Sequence, residues 1–448
     1  MSGQQTGQGT GLQATDLAIF LTNDLSGTSR GRAFPLRDLD ARRVSGVGWV
    51  PANLAITPFG TIGPNAFGPV GDLRLVPDPD SAGFRIPGVS GEPDLLGFLC
   101  DIVETDGTPW GGCGRGFAKR ALIDLEREFG LTIKASFEHE FVLTNAVLPK
   151  GAFTLADFRA VQGFLGAVIA AMIGAGLDPE NILREYGPQQ FEVTMKPAHG
   201  LDAADRAVIL RDLVRDLARQ FSLNACFAPL LEPTSIGNGV HVHFSLLDRS
   251  GKSVTADAAG PGGVSAQAAS FVAGVLRHMP ALCALAAPSV ISYARLTPHR
   301  WSAGFNCFGY RNREAGVRIC PVNDSPGRNT SEQTHFEFRA ADATASPYLV
   351  LGALVRAGLE GLRGKLPCPP LVEGDPADLK ETELKLMNIR RLPSSLEDAL
   401  AELDADPVVK SWLPPRMQDG YFALKQAEMK QAGALDVKEL YALYAQYY

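Results

Sequence analysis

Three segments of this chain place ionisable side chains two residues apart inside otherwise apolar, strand-like runs, and that pattern restricts the possible folds more than any other feature. They are Glu138-His139-Glu140 within Ala135–Val142, His241-Val242-His243 within Gly237–Ser245, and Glu337-Phe338-Arg339 within His335–Arg339. Residues i and i+2 of a strand point to the same face, so each segment sends two polar groups to one side. Two carboxylates held that close repel, and burying them is costly unless a cation lies between them. A solvated edge strand could carry one such pair without consequence. The pattern recurs, however: Glu192 is a lone carboxylate in Gln190–Met195, and Glu185 lies before it across a Gly-Pro turn. Five carboxylates and one histidine from separate strands form a mostly oxygen donor set, which suits hard Mg²⁺ or Mn²⁺ better than zinc.

The surrounding pattern predicts an α+β fold. Strand-like runs at Lys134–Leu143, Gln190–Met195, Cys226–Leu230, Val240–Leu246 and His335–Arg339 alternate with helical periodicity at Gly114–Gly130, Asp157–Gly174, Ala203–Phe221, Ser265–Leu285 and Pro347–Leu362, which argues for one mixed sheet backed by helices. Upstream, Asp16–Cys100 is rich in Gly and Pro with short apolar runs, the signature of a small strand-dominated domain. The expected organisation is a disordered Gly/Gln-rich tail at residues 1–14, a small domain at 15–105 and a larger one at 106–448. The C-terminal part, Asp375–Tyr448, reads as exposed helices with Pro-marked breaks, its Tyr-rich end packing on a core.

Composition excludes several classes. With 448 residues the chain can bury a large core unaided, and 42 Lys plus Arg against 49 Asp plus Glu leave no global basic surface for nucleic acid. The longest uncharged apolar stretch, Gly163–Leu177, carries several glycines and is too short to span a bilayer, so no membrane association is expected. Neither a signal peptide nor a CxxC pair occurs, and seven cysteines are an odd number; buried thiols in a reducing, cytoplasmic setting are the expectation.

Taken in order, the motifs resemble the glutamine synthetase family over residues 15–448. The matching segments are Gly71–Asp80, Cys100–Trp110, the Glu-x-Glu strand, Glu185–Glu192, Gly237–Ser245, Ser292–Pro298, Asn312–Arg318 and Phe336–Asp342. The resemblance implies a β-grasp N-terminal domain and a catalytic domain whose antiparallel strands, backed by helices, form a funnel with ATP entering one mouth and glutamate and amine the other. It implies that Glu140, Glu185 and Glu192 hold one divalent metal and Glu138, His241 and Glu337 the second. It further implies that Arg295 and Arg339 clamp glutamate, that Asn238 and Gly239 line its site, that Arg313 and Arg318 face ATP phosphates, and that Glu180, His243 and Ser245 contact nucleotide. A homo-oligomer, a dodecamer of two hexamers with each site completed by a neighbour's small domain, is the implied assembly.

Departures from the family bear on the amine. Ammonia-using members carry an Asp in the small domain and a Glu on the loop after the Arg-Leu-x-Pro segment. Here no acidic residue occurs between Asp40 and Asp72, Trp301 stands at the loop position, and no carboxylate follows before Glu314. That pattern is similar to γ-glutamylamide ligases, so the expected activity is ATP-dependent ligation of glutamate, through a γ-glutamyl phosphate, to an organic amine. A true glutamine synthetase and a catalytically silent structural homologue are the alternatives. Basic residues that precede the family's Glu-x-Arg strand are replaced by Glu332 and His335.

Overall fold

Alternation of buried and open residues builds a first sheet from β1 (Leu17–Asn23), β2 (Ser29–Pro35), β3 (Val47–Trp49), β4 (Leu73–Pro77), β5 (Phe84–Ile86) and β6 (Leu95–Glu104), with α1 (Leu39–Ser45) between β2 and β3. The strand order is β2-β1-β6-β4-β3, with β5 on β6. β1 and β6 run parallel at its centre, the β-grasp arrangement. The computed structural model describes residues 16–88 and 93–448, so the expected tail lies outside the described residues.

The remaining chain forms α2 (Gly114–Phe129), β7 (Leu131–Leu143), α3 (Leu155–Ala160), α4 (Gln162–Gly174), β8 (Pro179–Arg184), β9 (Gln190–Met195), β10 (Ala198–His199), α5 (Leu201–Gln220), β11 (Ala225–Cys226), β12 (Val240–Asp248) and α6 (Ala266–Ala286). There follow β13 (Phe308–Tyr310), β14 (Val317–Ile319), β15 (Phe336–Phe338), α7 (Pro347–Arg363), α8 (Glu381–Leu386), α9 (Leu396–Ala405), α10 (Pro407–Trp412), α11 (Pro415–Ala432) and α12 (Val437–Tyr447). The second sheet runs β13-β14-β15-β12-β7-β9-β8, with β10 and β11 also on β7. It is antiparallel throughout except for the β13/β14 pair.

Period-two alternation gives this sheet two unlike faces. Phe137, His139 and Phe141 of β7, Val242 and Phe244 of β12, and Phe191 and Val193 of β9 are buried, and Phe244 meets Phe271 of α6 with ring centroids 5.8 Å apart. The other face carries Glu138, Glu140, His241, His243, Ser245 and Glu192. His139 of the Glu-x-Glu motif therefore belongs to the core. Its imidazole lies edge-on to Phe227, and burial lowers its pKa to about 3, keeping it neutral.

Two predicted elements differ in extent. The helix expected over Asp157–Gly174 breaks at Val161, whose φ of -121° is not helical. Asp157 explains the break: its buried carboxylate accepts from the backbone N–H of Lys150 and Gly151 and from Arg184 Nε, fixing α3 against β8. The strand expected over Cys226–Leu230 pairs only at Ala225–Cys226; Pro229, lacking an N–H, turns the chain away. The C-terminal Tyr-rich segment does reach a core. Tyr444 donates to Glu428 at 2.6 Å and Tyr448 to the carbonyl of Ser26 at 2.6 Å, so α12 ties the first sheet to the second. Among the described residues, only α6 is long and apolar enough to cross a membrane, and it is mostly buried inside the protein.

A buried cation joins the two sheets more directly. Arg115 of α2 reaches Asp78 after β4 at 2.5 Å, Asp101 of β6 at 3.0 Å and Asp205 of α5 at 2.8 Å. Removing it takes away the ion-pair partner of Asp205 and leaves Asp78 and Asp101 facing each other with only Lys119, at 2.5 and 2.6 Å, to offset them. Arg115→Leu is therefore expected to lower stability by about 3–5 kcal/mol, read as a fall in denaturation midpoint. A midpoint within error of the parent would show that the ion network holds nothing together.

Candidate active site

Strand register assembles the polar face. His241 lies opposite Glu138 and His243 opposite Ser136 across β7/β12, His243 faces Glu337 across β12/β15, Arg318 of β14 faces Glu337, and Glu192 of β9 faces Glu140. Two donor groups result, each with its ligand atoms within 4.8 Å of one another: Glu138 with His241 and Glu337, and Glu138 with Glu140 and Glu192. The first group unites the three residues expected to share one metal. In the second, Glu138 stands where Glu185 was expected. Glu185 sits on the turn after β8, outside that group, and its carboxylate accepts the N–H of Tyr186 at 3.2 Å. The central position of β7 in the sheet is what gives Glu138 both groups.

The turn carrying Glu185 is held from beneath. Arg184 is fully buried, donates to the carbonyls of Gly187 at 2.7 Å and Gln190 at 3.1 Å, and pairs with Asp157 at 3.0 Å. Gly239 fixes Glu140: its N–H donates to Glu140 Oε2 at 2.6 Å. A Cβ there would come within 2.8 Å of His241 Nε2 and 3.1 Å of an Arg295 nitrogen, so only glycine leaves this space open.

Electrostatics explain how the protein tolerates the cluster without an ion. Burial opposes ionisation of Glu138, but hydrogen bonds from His241 at 2.9 Å and His243 at 3.2 Å outweigh it and hold the carboxyl well below the usual range. Burial of Glu337 is likewise outweighed, first by the charge of Arg339 and then by the histidines and Arg318, bringing it to about 2. Glu140 and Glu192 have no such partners. Burial, then the charge of Glu138, raises Glu140 to about 8 against the pull of the Gly239 N–H; burial and the charges of Glu138 and Glu140 raise Glu192 further. Burial and the charge of Arg339 keep His241 neutral, lowering it to about 4. Neutral imidazole and carboxyls that shed protons for a cation are the donor chemistry of a hard divalent ion.

The expected substrate residues divide. Arg339 is buried beside Glu337 and donates to the carbonyl of Trp301 at 2.6 Å. Arg295 is buried, donating to Ser302 Oγ at 2.8 Å and to the carbonyl of Ala341 at 2.5 Å. The Nε of each has no hydrogen-bond partner among the described residues, which leaves two buried cationic donors for an anion. Arg318 is buried against Glu337, whereas Arg313 is exposed. Ser245 shares the face of His241 and His243. Glu180 is exposed at the register irregularity of β8, apart from the acidic groups. Asn238 corrects the expectation of a substrate contact. It is 1% exposed, its amide nitrogen donates to the carbonyl of Ala228 at 2.8 Å, and its oxygen accepts from Gln190 at 2.9 Å, so it braces the loop.

The loop after Arg295 holds a residue that sequence reasoning missed. Glu314 reaches back to accept the N–H of Trp301 at 2.9 Å and of His299 at 3.2 Å. Both His299 (φ 62°) and Trp301 (φ 50°) are left-handed, a costly conformation for such residues that clusters at functional sites. Trp301 is 69% exposed at the mouth. Its position two residues after His299, with an acid a short loop away, was the available signal.

Comparison with known proteins agrees with this geometry. Residues 111–440 match the family model "Glutamine synthetase, catalytic domain" and residues 1–110 match "Glutamine synthetase N-terminal domain". The chain belongs to the glutamine synthetase family. It is an ATP-dependent C–N ligase, and enzymes of this family use glutamate, an amine, ATP and divalent metal ions. The chain is 32% identical to the gamma-glutamylpolyamine synthetase GlnA3 of Streptomyces coelicolor, over 99% of this chain and 95% of that one. It is 32% identical to the glutamine synthetase of Pyrococcus furiosus over 76% of each. The crystal structure of a novel glutamine synthase homolog superposes with a TM-score of 0.89 at 41% identity, covering 98% of this chain and 99% of that one.

A pH dependence follows from Glu140. Its folded, metal-free pKa of about 8 lies above the ordinary 4.5, so it is protonated below about pH 8 and must ionise to bind an ion. Mg²⁺ affinity is therefore expected to rise about tenfold per pH unit and per proton displaced between pH 6 and 8, and less steeply above pH 8, where the proton of Glu192 still has to be displaced, as titration calorimetry with proton counting would show. Glu192→Gln replaces a carboxyl that already holds its proton at neutral pH: it is expected to leave the metal-free denaturation midpoint nearly unchanged while abolishing the increment that Mg²⁺ gives the parent. Flat affinity across that pH window, or an unchanged Mg²⁺ increment in the variant, would contradict the assignment.

Proposed function

We propose that this ligase joins glutamate to an organic amine, with ammonia a poor substitute. The observation that carries the reading is the Trp301 loop. Ammonium needs an anion that binds it and takes its proton, but of the two carboxylates that reach this loop among the described residues, Glu314 accepts backbone N–H groups with both oxygens and Asp375 pairs with the His299 ring at 2.9 Å. An exposed indole beside it suits an alkylammonium, through cation–π attraction and apolar contact. The small domain contributes no acid either, since β3 and the following turn carry only Val, Gly, Trp, Pro, Ala, Asn and Leu from Val47 to Ala55. Similarity to a relative named for polyamine ligation points the same way. Glutamine synthesis is the second reading, favoured by the mere proximity of Glu314.

In the reaction the γ-carboxylate of glutamate attacks the terminal phosphorus of ATP, releasing ADP, and the amine nitrogen then displaces phosphate from the γ-glutamyl phosphate. Divalent cations held by the two carboxylate groups, Mg²⁺ or Mn²⁺ by the hardness of the donors, would neutralise charge on phosphoryl oxygens. The buried Nε donors of Arg295 and Arg339 are placed to bind carboxylate and acyl-phosphate oxygen, as preorganised donors in a dry site. Arg318, Arg313, His243, Ser245 and Glu180 complete the nucleotide side of this reading. A homo-oligomer, with a neighbour's small domain closing each site, belongs to it too.

Phosphate release with ATP, Mg²⁺ and glutamate, measured across ammonia, methylamine, ethanolamine, putrescine and spermidine with product masses, tests the reading. At least one organic amine is expected to exceed ammonia by about tenfold or more in kcat/KM, and Trp301→Ala to raise the KM for that amine about tenfold. Glutamine formation at a comparable rate would move the assignment to the second reading.

A further inference from the structure

Beside the carboxylate groups, the end of the second sheet assembles a third donor set of different chemistry. His243 of β12, Cys320 just after β14 and His335 just before β15 place one nitrogen or sulfur each within 4.8 Å of one another. The strand register builds it. Cys320 donates its backbone N–H to the carbonyl of His335 at 3.1 Å, continuing the β14/β15 ladder beyond Ile319 and Phe336, and His243 lies opposite Glu337 on the other side of β15. His335 Nε2 is 3.1 Å from His243 Nδ1, and Cys320 Sγ is 3.8 Å from that same Nδ1.

The partners of the two rings decide which atoms face inward with lone pairs. His335 Nδ1 lies 2.6 Å from the carbonyl oxygen of Gln333, which can only accept, so Nδ1 carries the proton and Nε2 the lone pair. His243 Nε2 lies 3.2 Å from the ionised carboxylate of Glu138, so it carries the proton and Nδ1 the lone pair. With only those protons in place the two rings aim acceptor nitrogens at each other across 3.1 Å, with the Cys320 sulfur alongside; against the effect of burial, Cys320 raises the pKa of both rings, so a bound metal would displace a proton from this cluster. That arrangement lacks a positive centre. Orientation of each ring by a carbonyl or carboxylate on its far nitrogen is also how metal-binding histidines are held.

We propose that His243, Cys320 and His335 form a binding site for a thiophilic borderline cation, Zn²⁺ being the representative, separate from the two oxygen-donor groups. A tetrahedral zinc with bonds of about 2.0–2.1 Å to nitrogen and about 2.3 Å to sulfur separates two ligand nitrogens by about 3.3 Å and sulfur from nitrogen by about 3.6 Å. The observed 3.1 Å and 3.8 Å need adjustments of only a few tenths of an ångström. Hard Mg²⁺ discriminates against a thiolate, so the two kinds of site sort their ions by donor type. Cys320 is 4% exposed, while His243 and His335 are half-buried, giving an ion a path from the mouth. A fourth position is left for water or a ligand oxygen.

The site can be read without turnover, so its test is independent of which amine the enzyme uses. The full-length protein, freed of metal by chelation and dialysed into excess Mg²⁺, is titrated with Co²⁺ and separately with Zn²⁺. About one Co²⁺ per chain is expected to bind with a thiolate-to-cobalt charge-transfer band in the near ultraviolet, and Zn²⁺ to displace it. Cys320→Ser is expected to lose the band, and His335→Ala to weaken Zn²⁺ binding at least tenfold, with circular dichroism confirming that both fold. Glu192→Gln, which damages an oxygen-donor group, is expected to keep the band. Absence of a band in the parent, its persistence in Cys320→Ser, unweakened Zn²⁺ binding in His335→Ala, or its loss in Glu192→Gln would each overturn the proposal.

Discussion

Mutual repulsion of carboxylates on one sheet face is the constraint around which the rest of this structure is arranged. Glu138, Glu140, Glu192 and Glu337 converge within a few ångströms, and the fold answers each differently. Glu337 is flanked by two guanidinium groups, Glu138 by two imidazoles, and Glu140 and Glu192 are left to hold protons. The compensation is uneven. The side of the sheet nearest β14 and β15 is balanced by cations fixed in the chain, whereas the side nearest β9 depends on what enters from solution. Any cation entering on that side has to displace the protons held by Glu140 and Glu192.

Much of this was legible because it follows from period-two alternation. The face shared by Glu138 and Glu140, the one shared by His241 and His243, and the assignment of Val242 and Phe244 to the core need only the geometry of a strand. What escaped depends on which strands are neighbours. Glu138 rather than Glu185 joins Glu140 and Glu192 because β7 lies between β12 and β9, an order that a linear reading does not contain. Asn238 is a substrate residue by the family resemblance, but the carbonyl of Ala228, ten residues earlier, accepts from its amide. Glu314 and Cys320 escaped for a related reason: each acts on a segment brought beside it by loop folding or ladder extension, with no local periodicity to mark the contact.

The Trp301 loop concentrates conformational strain beside the buried arginines. The backbone N–H groups of two left-handed residues are held by Glu314, the ring of His299 by Asp375, and the carbonyl of Trp301 by Arg339, which also touches Glu337. A single guanidinium thereby bridges the Trp301 loop and the Glu337 carboxylate.

The two faces of the second sheet have a further consequence for how such a chain can change over time. Catalytic groups and core residues occupy alternate positions of the same strands, so they share one reading frame. A single-residue insertion within β12 would exchange His241 and His243 for Val240 and Val242, turning hydrocarbon toward the funnel and imidazole toward Phe271 of α6 in one event. Length variation in descendants is thus confined to the connections between strands, such as the loop that carries Trp301, where an added residue leaves both faces of the sheet in register.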